Sequence, residues 1–304
     1  MTMPITTGSI AKALWPGINA WYGESYDEYP VEHDKLFEKE TSKRNYEEDV
    51  MITSFGYAIQ KPEGTPISYD TQRQGFVTRY THIVYGLGFI ITREMIEDDL
   101  YDVVAKKRSK GLAFSMRQTK EIVGANVYNR AFNSAYTFGD GTSLINASHP
   151  NVVGGTWSNT LAVAQDLSEA ALEQAVIQIA AFQNDRGLII QAVPKSLIIP
   201  WNLEFEAHRI LKATKRVGTD NNDPNALADL GKFQDGVHLN HFLTDPDAWF
   251  IRTNVPDGMK YFERRPDEFT EDNDFDTENA KYKATGRYSF GCTDVRGIFG
   301  SAGA

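Results

Sequence analysis

The spacing of apolar and polar positions divides the chain into stretches of different character. Up to about Val50 there is no sustained hydrophobic period; Gly, Pro, Tyr and acidic residues are frequent, and the stretch reads as an extended arm. Between Glu24 and Asp49 acids outnumber bases, yet Trp15, Trp21, Tyr22, Tyr26, Tyr29 and Phe37 recur through the arm. That is more aromatic surface than a free linker carries, so the arm is expected to dock on something. From Val50 the pattern turns strand-like in VMITSFGYAIQ, passes through the turn-forming Lys61-Pro62-Glu63-Gly64-Thr65-Pro66, and continues with polar and β-branched residues through Phe76, Val77, Tyr80 and Ile83 to Ile91. This predicts a long hairpin whose distal part carries Ser68, Asp70, Gln72, Arg73 and Gln74. With so little apolar surface to bury on its own body, it is either a loose surface loop or an element that lies on a neighbour.

A helical period follows. Thr92 is placed to cap a helix opening with Glu94, Glu97, Asp98 and Asp99, acids where the helix dipole favours them. Apolar residues then recur at helical spacing through Ile96, Leu100, Val103, Val104, Ile122, Val123, Val127 and Ala131 with no proline between Pro66 and Pro150. Unbroken to Asn133, such a helix is roughly 60 Å long at 1.5 Å per residue. Gly111 and Gly124 lie inside it, each a position for a bend or break.

Turn-rich segments at Phe138 to Thr142 and Ser148 to Gly155 lead to a second helix, where Asp166 and Glu169 make a capping-box pattern and Leu172, Val176 and Ile179 an apolar face ending at Asp185-Arg186-Gly187. Leu188 to Val193 and Leu197 to Ile199, bounded by Pro194 and Pro200, suit strands, and Trp201 to Lys212 suits a helix opened by proline. Beyond a loop at Gly218 to Asn225, strand-like runs occupy Val237 to Asn254. An acidic stretch from Glu263 to Glu278 separates them from a last alternating run, Tyr282 to Phe290. The fold class is α+β.

Composition narrows the function classes. The 304 residues, 41% hydrophobic and 12% aromatic, can form one large core or two smaller ones, and the formal net charge of −10 argues against a chain whose main task is gripping nucleic acid. The single cysteine, Cys292, excludes an intrachain disulfide or a thiolate metal cluster within one subunit. No run approaches the roughly 18 apolar residues of a membrane span, and the start has no secretory pattern.

Candidate chemistry is sparse. Asp272, Asp274, Asp276 and Glu278 alternate as in a calcium loop, but the sixth position is Thr277 where glycine is needed and the twelfth is Lys283 where a bidentate Glu is needed. Gly86-Leu87-Gly88 lacks the third glycine of a dinucleotide loop, with Ile91 in its place. His238 with His241, and Glu204 with His208, offer two ligands each, which do not make a metal site. Ser148, His149 and Cys292 supply nucleophile and base types without a recognisable third partner. The residues therefore designate no catalytic, cofactor-binding or metal site and no cofactor. Lys106, Lys107, Arg108, Lys110, Arg117 and Lys120 form a basic row in the long helix, able to touch nucleic acid or to pair with the acidic arm or loop of a neighbour, and the negative overall charge favours the second.

Seven stretches, in order, carry a family resemblance: ALWPGINAWYG at Ala13 to Gly23, KPEGTPISYD at Lys61 to Asp70, YGLGFIITREMIEDD at Tyr85 to Asp99, FSMRQTKEIVGANVYNRAF at Phe114 to Phe132, GDGTSLINASHP at Gly139 to Pro150, DLSEAALEQA at Asp166 to Ala175, and PKSLIIPWNLEFEAHRIL at Pro194 to Leu211. The chain resembles the major capsid proteins of tailed bacteriophages related to the major head subunit of Mu-like prophages. The resemblance implies a Hong Kong 97-type (HK97-like) capsid fold: an N-terminal arm over residues 1–50, an extended hairpin loop over 51–91, a peripheral domain with a spine helix over 92–165, an axial domain over 166–243, and a return to the peripheral domain over 244–304.

It further implies a structural subunit and no enzyme, one that assembles with itself into hexamers and pentamers of an icosahedral shell enclosing double-stranded DNA, made in the host cytoplasm and resident in the virion capsid. Arm and hairpin are expected to reach adjacent subunits. No long helical extension precedes the arm, so a separate scaffolding protein, or none, is expected; a portal and decoration proteins are further expected partners, and a membrane is not. Lys61 lies near the hairpin tip without a designated cross-linking partner. The alternatives are an encapsulin-type nanocompartment shell of the same fold and, remotely, a hydrolase using His149 or the acidic loop.

Overall fold

A computed structural model of the chain describes residues 19–97, 101–215, 224–274 and 279–304. Trp15, Asp98, Asp99, Leu100, residues 218–223, Asp276 and Glu278 lie outside the described residues. In chain order, the first elements are a helix α1 over residues 19–27, α2 His33–Leu36, β1 Glu38–Thr41, β2 Tyr46–Ile52, β3 Gln74–Thr81, β4 Ile83–Ile91, α3 Arg93–Glu97 and α4 Tyr101–Asn129. Short strands β5 His149–Pro150 and β6 Thr156–Trp157 precede α5 Glu169–Ala180, β7 Pro194–Pro200, α6 Glu204–Lys212 and α7 Ala226–Leu230. Strands β8 Val237–Asn240, β9 Trp249–Thr253, β10 Met259–Asn273, β11 Ala280–Cys292 and β12 Ile298–Ser301 complete the α+β chain.

Two four-stranded sheets organise the molecule. In the first, ordered β12-β9-β7-β8, both faces are buried. Alternate residues of its strands point into different cores: Leu197, Ile199, Trp249, Ile251 and Phe299 meet α5 and α6, while Ile198, Phe250 and Ile298 meet Leu36, Phe37, Tyr128 and Ala131. Two-sided burial explains why PKSLIIP and WFIRT read as runs without polar alternation. The second sheet, ordered β1-β10-β11-β4, alternates. Ala280, Tyr282, Ala284 and Tyr288 of β11 are buried, whereas Lys281 and Lys283 between them are exposed.

The resemblance groups Trp249 with the terminal strands; in the structure β9 pairs antiparallel with β7, and of the strands after it only β10 and β11 run in the other sheet, beside β1 and β4. The acidic stretch beginning at Glu263 is not a separating loop either. It is strand through Asn273, where Asp272 stands opposite Lys281, while Glu263 is held by Lys39 and Lys120 from neighbouring elements.

Strand β2 begins at Tyr46, before the expected start of the hairpin, and pairs with β3 from Tyr46↔Thr81 to Ile52↔Gln74. The run that follows, β4, leaves the hairpin and pairs with β11. No strand forms over Leu188 to Val193, where Gln191 takes a positive φ of 53°. The cap of α5 is Ser168, whose hydroxyl accepts from Ala171 N; Asp166, the expected cap, accepts instead from Ala304 N at 2.8 Å.

The 29 residues of α4 span about 43 Å at 1.5 Å per residue, and the helix runs through both glycines to end at Asn129 instead of Asn133. Gly124 has a packing reason: a Cβ there would stand 3.3 Å from the Phe290 ring and 3.4 Å from His33. Gly111 has none, with nothing within 4 Å. Replacing it by Ala is expected to raise stability by up to about 1 kcal/mol, measured by thermal or urea unfolding. The opposite is expected at Gly297, where the β11–β12 connection crosses the β9–β10 connection and a Cβ would fall 2.5 Å from Gly258 Cα. Backbone must move to admit it, so Gly297→Ala should cost about 1–3 kcal/mol.

Residues 19–41 are built into the body of their own subunit. Tyr22 packs with Leu112, Ala113 and Met116 of α4, Leu36 and Phe37 are 1% and 2% exposed, and β1 lies parallel to β10. Charges on the buried side of α4 are met by the arm and by β10. Glu121 accepts from His33 N at 2.9 Å and lies 2.6 Å from His33 Nδ1; Arg117 stacks on Tyr26 and donates to Tyr29 O; Lys120 donates to Glu263 at 2.8 Å.

Burial pushes the Glu263 carboxyl up, but hydrogen bonds from Lys120 and Lys39 outweigh it and hold the group at about 2, below its ordinary 4.5. A depressed carboxyl stabilises the fold fully above 4.5 and loses that contribution as pH falls towards 2. Glu263→Gln is therefore expected to cost about 1.5–3 kcal/mol near neutral pH. It should also flatten the acid limb of the stability profile, measured as melting temperature against pH.

Candidate assembly surface

Beyond Ile52 the hairpin ladder stops after one further tie, Thr53 N to Arg73 O at 3.0 Å with Thr53 Oγ1 accepting from Arg73 N at 2.8 Å. A turn opened by Pro62, with Gly64 in its third position at a φ of 80°, closes the tip, where Thr65 N donates to Pro62 O. From Ser54 to Gln74 every residue except Gly56 is exposed. Phe55, Tyr57, Ile59, Ile67 and Tyr69 are 54–94% exposed, an apolar extension without a core of its own. The outward face of the ladder continues it with Val50 opposite Val77 and with Ile52, all exposed. The tip therefore carries a larger apolar load than its polar residues suggest, because Tyr57, Ile59, Ile67 and Tyr69 are spread between them.

Strand β4 contributes a second surface. It lies at the edge of its sheet, and Ile83, Val84, Leu87 and Ile90 along it are about half exposed. Gly86 and Gly88 fall inside this strand, not in a loop before a helix; a Cβ on Gly88 would lie 2.6 Å from Tyr282 O of β11. Edge backbone and apolar side chains together form a template for another extended segment.

The candidate catalytic groups are occupied structurally. His149 is fully buried against Trp157; its Nδ1 lies 2.6 Å from Asp140 Oδ2 and its Nε2 3.0 Å from Asn159 Oδ1. Asn159 in turn accepts from Asn146 N and donates to Leu144 O, so the ring staples the turns between α4 and α5. Burial raises the Asp140 carboxyl, and hydrogen bonds from His149 and Thr142 more than offset this and hold it below its ordinary value. With both ring nitrogens engaged in the interior, His149 has no free nitrogen for a substrate.

Ser148 is exposed, and Cys292 is buried with its thiol pushed well up by desolvation, which suppresses the thiolate. His241 pairs with Glu32 of the arm, His238 is lowered first by burial and then by Lys35 and Arg252, and Glu204 and His208 line the rim of an apolar cavity of about 380 Å³ between α6 and α7. Asp274 pairs with Lys281 at 2.6 Å. No group of three or more His, Cys, Asp or Glu able to hold a metal ion occurs among the described residues.

Four residues of the basic row of α4 meet groups of their own subunit. Lys106 stands over Trp21, Arg108 donates to Ile90 O, and Arg117 and Lys120 meet the arm and β10 as described. The expectation that a neighbour's acidic arm or loop would meet this row is thus corrected for Arg117 and Lys120, which the chain's own arm and β10 cover. Among the described residues, no helix is long and apolar enough to cross a membrane.

Residues 76–300 match the family model described as phage capsid protein. No curated protein matches the chain. Among solved structures, the chain is similar to the procapsid of bacteriophage JBD30, with a TM-score of 0.54 and 13% identity over 97% of this chain and 76% of that one. It is also similar to a chain of Mycobacterium phage Patience, with a TM-score of 0.52 and 13% identity over 95% and 86% of the two chains. A virus-like particle from Pyrococcus furiosus gives a TM-score of 0.50 and 8% identity over 93% and 97%. At these identities the likeness is one of fold, the HK97-like capsid fold, and the match over residues 76–300 shows that the chain belongs to the phage capsid protein family.

Proposed function

We propose that the chain is the repeating subunit of an icosahedral tailed-phage head, arranged as hexamers and pentamers around packaged double-stranded DNA. Its role is structural and needs no catalytic centre. The observation that carries this reading is the exposed apolar loop between β2 and β3: a subunit holding Tyr57, Ile59, Ile67 and Tyr69 in water gains by placing them on another subunit. Many modest contacts of this kind, repeated around closed rings, sum to a stable shell.

In this reading the β2–β3 hairpin is the extended loop and α4 is the spine helix of a peripheral domain completed by β10 and β11. The sheet of β7, β8, β9 and β12 with α5 and α6 then forms the axial domain. This reading groups β9 and β12 with the axial elements, because β9 hydrogen-bonds to β7 and β12 to β9. The ordered segments from Ala13 to Leu211 support kinship with Mu-like prophage head subunits. Assembly takes place in the host cytoplasm, with a scaffolding protein, a portal and decoration proteins as partners of the completed head. A nanocompartment shell would share the fold, and the family match favours the phage reading over it.

Electron microscopy of the purified protein, with and without a candidate scaffold, tests the proposal. Shells, tubes or capsomers are expected, and persistent monomers under every condition would count against it. A variant in which residues 55–71 are replaced by a short Gly-Ser turn should keep the melting temperature of the parent and fail to form closed shells, because the removed segment is exposed and supports no core.

A further inference from the structure

The loop between β2 and β3 has no core, yet it is tied to its own subunit where Asp70 meets Arg186, with a longer contact beside it from the Tyr57 hydroxyl to Gly187 O at 3.5 Å. Asp70 Oδ2 accepts from Gly56 N at 2.9 Å, which bridges the outgoing and returning limbs of the loop, and Oδ1 accepts from Thr71 N at 2.8 Å. Both oxygens also accept from Arg186 Nη2, at 2.6 and 2.7 Å. Arg186 stands on a stiff turn after α5: Asn184 Oδ1 accepts from Arg186 N and Leu188 N, and Gly187 takes a φ of 82°. The adjacent Asp185 accepts from the buried Arg296 at 3.0 Å, which anchors that turn to the β11–β12 connection. The donors from Gly56, then Arg186 and Thr71, hold the Asp70 carboxyl at about 2, so it is ionised throughout the neutral range.

We propose that Asp70 and Arg186 form an intrasubunit clasp that sets the angle at which the loop leaves its subunit, making both positioning residues for contact with the next copy. The proposal rests on the reading of the loop as an assembly element. A closed shell needs the same angle at every copy, and a loop already held in one direction loses less conformational freedom on docking. Side chains 29% and 37% exposed form a pair that adds little to global stability, so its removal redirects the loop without unfolding the body.

Nitroxide labels at Lys61→Cys near the tip and Gln174→Cys on α5 report the loop's position in dilute subunits, since the buried Cys292 escapes labelling. The expected result is one narrow distance with the clasp intact. Asp70→Asn and Arg186→Ala should each lose it, the double variant should be no broader than either single one, and all should keep the parent melting temperature. In unlabelled form the same variants should give a reduced yield of closed shells and more irregular particles. Distances unchanged by either substitution, or variants that close shells with parental yield and geometry, would overturn the clasp. A parent protein that never assembles removes the shell reading instead, and the label distances still decide the clasp.

Discussion

A helix that buries Arg117, Lys120 and Glu121 within about one turn is untenable until each charge is matched, because an unpaired charge in the interior costs several kcal/mol. The matching groups come from far along the chain in both directions: His33 and Tyr29 of the arm, and Glu263 of β10. This set of pairings fastens arm, helix and sheet into one unit. Around it, Leu36 and Phe37 close over the end of α4, and Tyr128 donates to Leu36 O at 2.8 Å. The same cluster covers the second face of the sheet containing β7 and β9, so the two sheets share a core through the helix between them.

This arrangement divides the chain into parts that are satisfied and parts that are not. From residue 19 the arm packs on its own subunit, and Arg117 and Lys120 of α4 are met there. The loop from Ser54 to Gln74 is left apolar and exposed, and the edge strand β4 leaves one side without a described strand. For a member of the phage capsid protein family such unsatisfied surface is the working part. His149 and Cys292, which looked like chemistry, belong to the interior that keeps those surfaces in place.

Reading the sequence alone, the hairpin, the long helix and α5 were legible because each is written in local spacing. The turn at Pro62 to Thr65, the proline-free helical period and the apolar face of Leu172, Val176 and Ile179 need only neighbours a few positions away. Boundaries shifted where a long-range contact outranked the local signal. Asp166 lost the cap of α5 to Ser168 and went to the C-terminal backbone, and the run at Ile83 to Ile91 left the hairpin for β11. The acids from Glu263 read as loop by composition, yet the segment pairs with β11 along its length as strand.

The sequence by itself determined that this is an α+β chain with a spine-like helix, an ill-covered hairpin and no convincing catalytic set, since period, turn chemistry and motif spacing are local properties. Ordered segments through Leu211 added the capsid resemblance. Only the tertiary structure decided which body the arm covers, which sheet takes Trp249, and where Asp70 finds Arg186. Those partners lie tens to hundreds of positions apart. No periodicity encodes such a pairing; it follows from closing the chain so that buried charges such as Lys120 and Glu121 find partners.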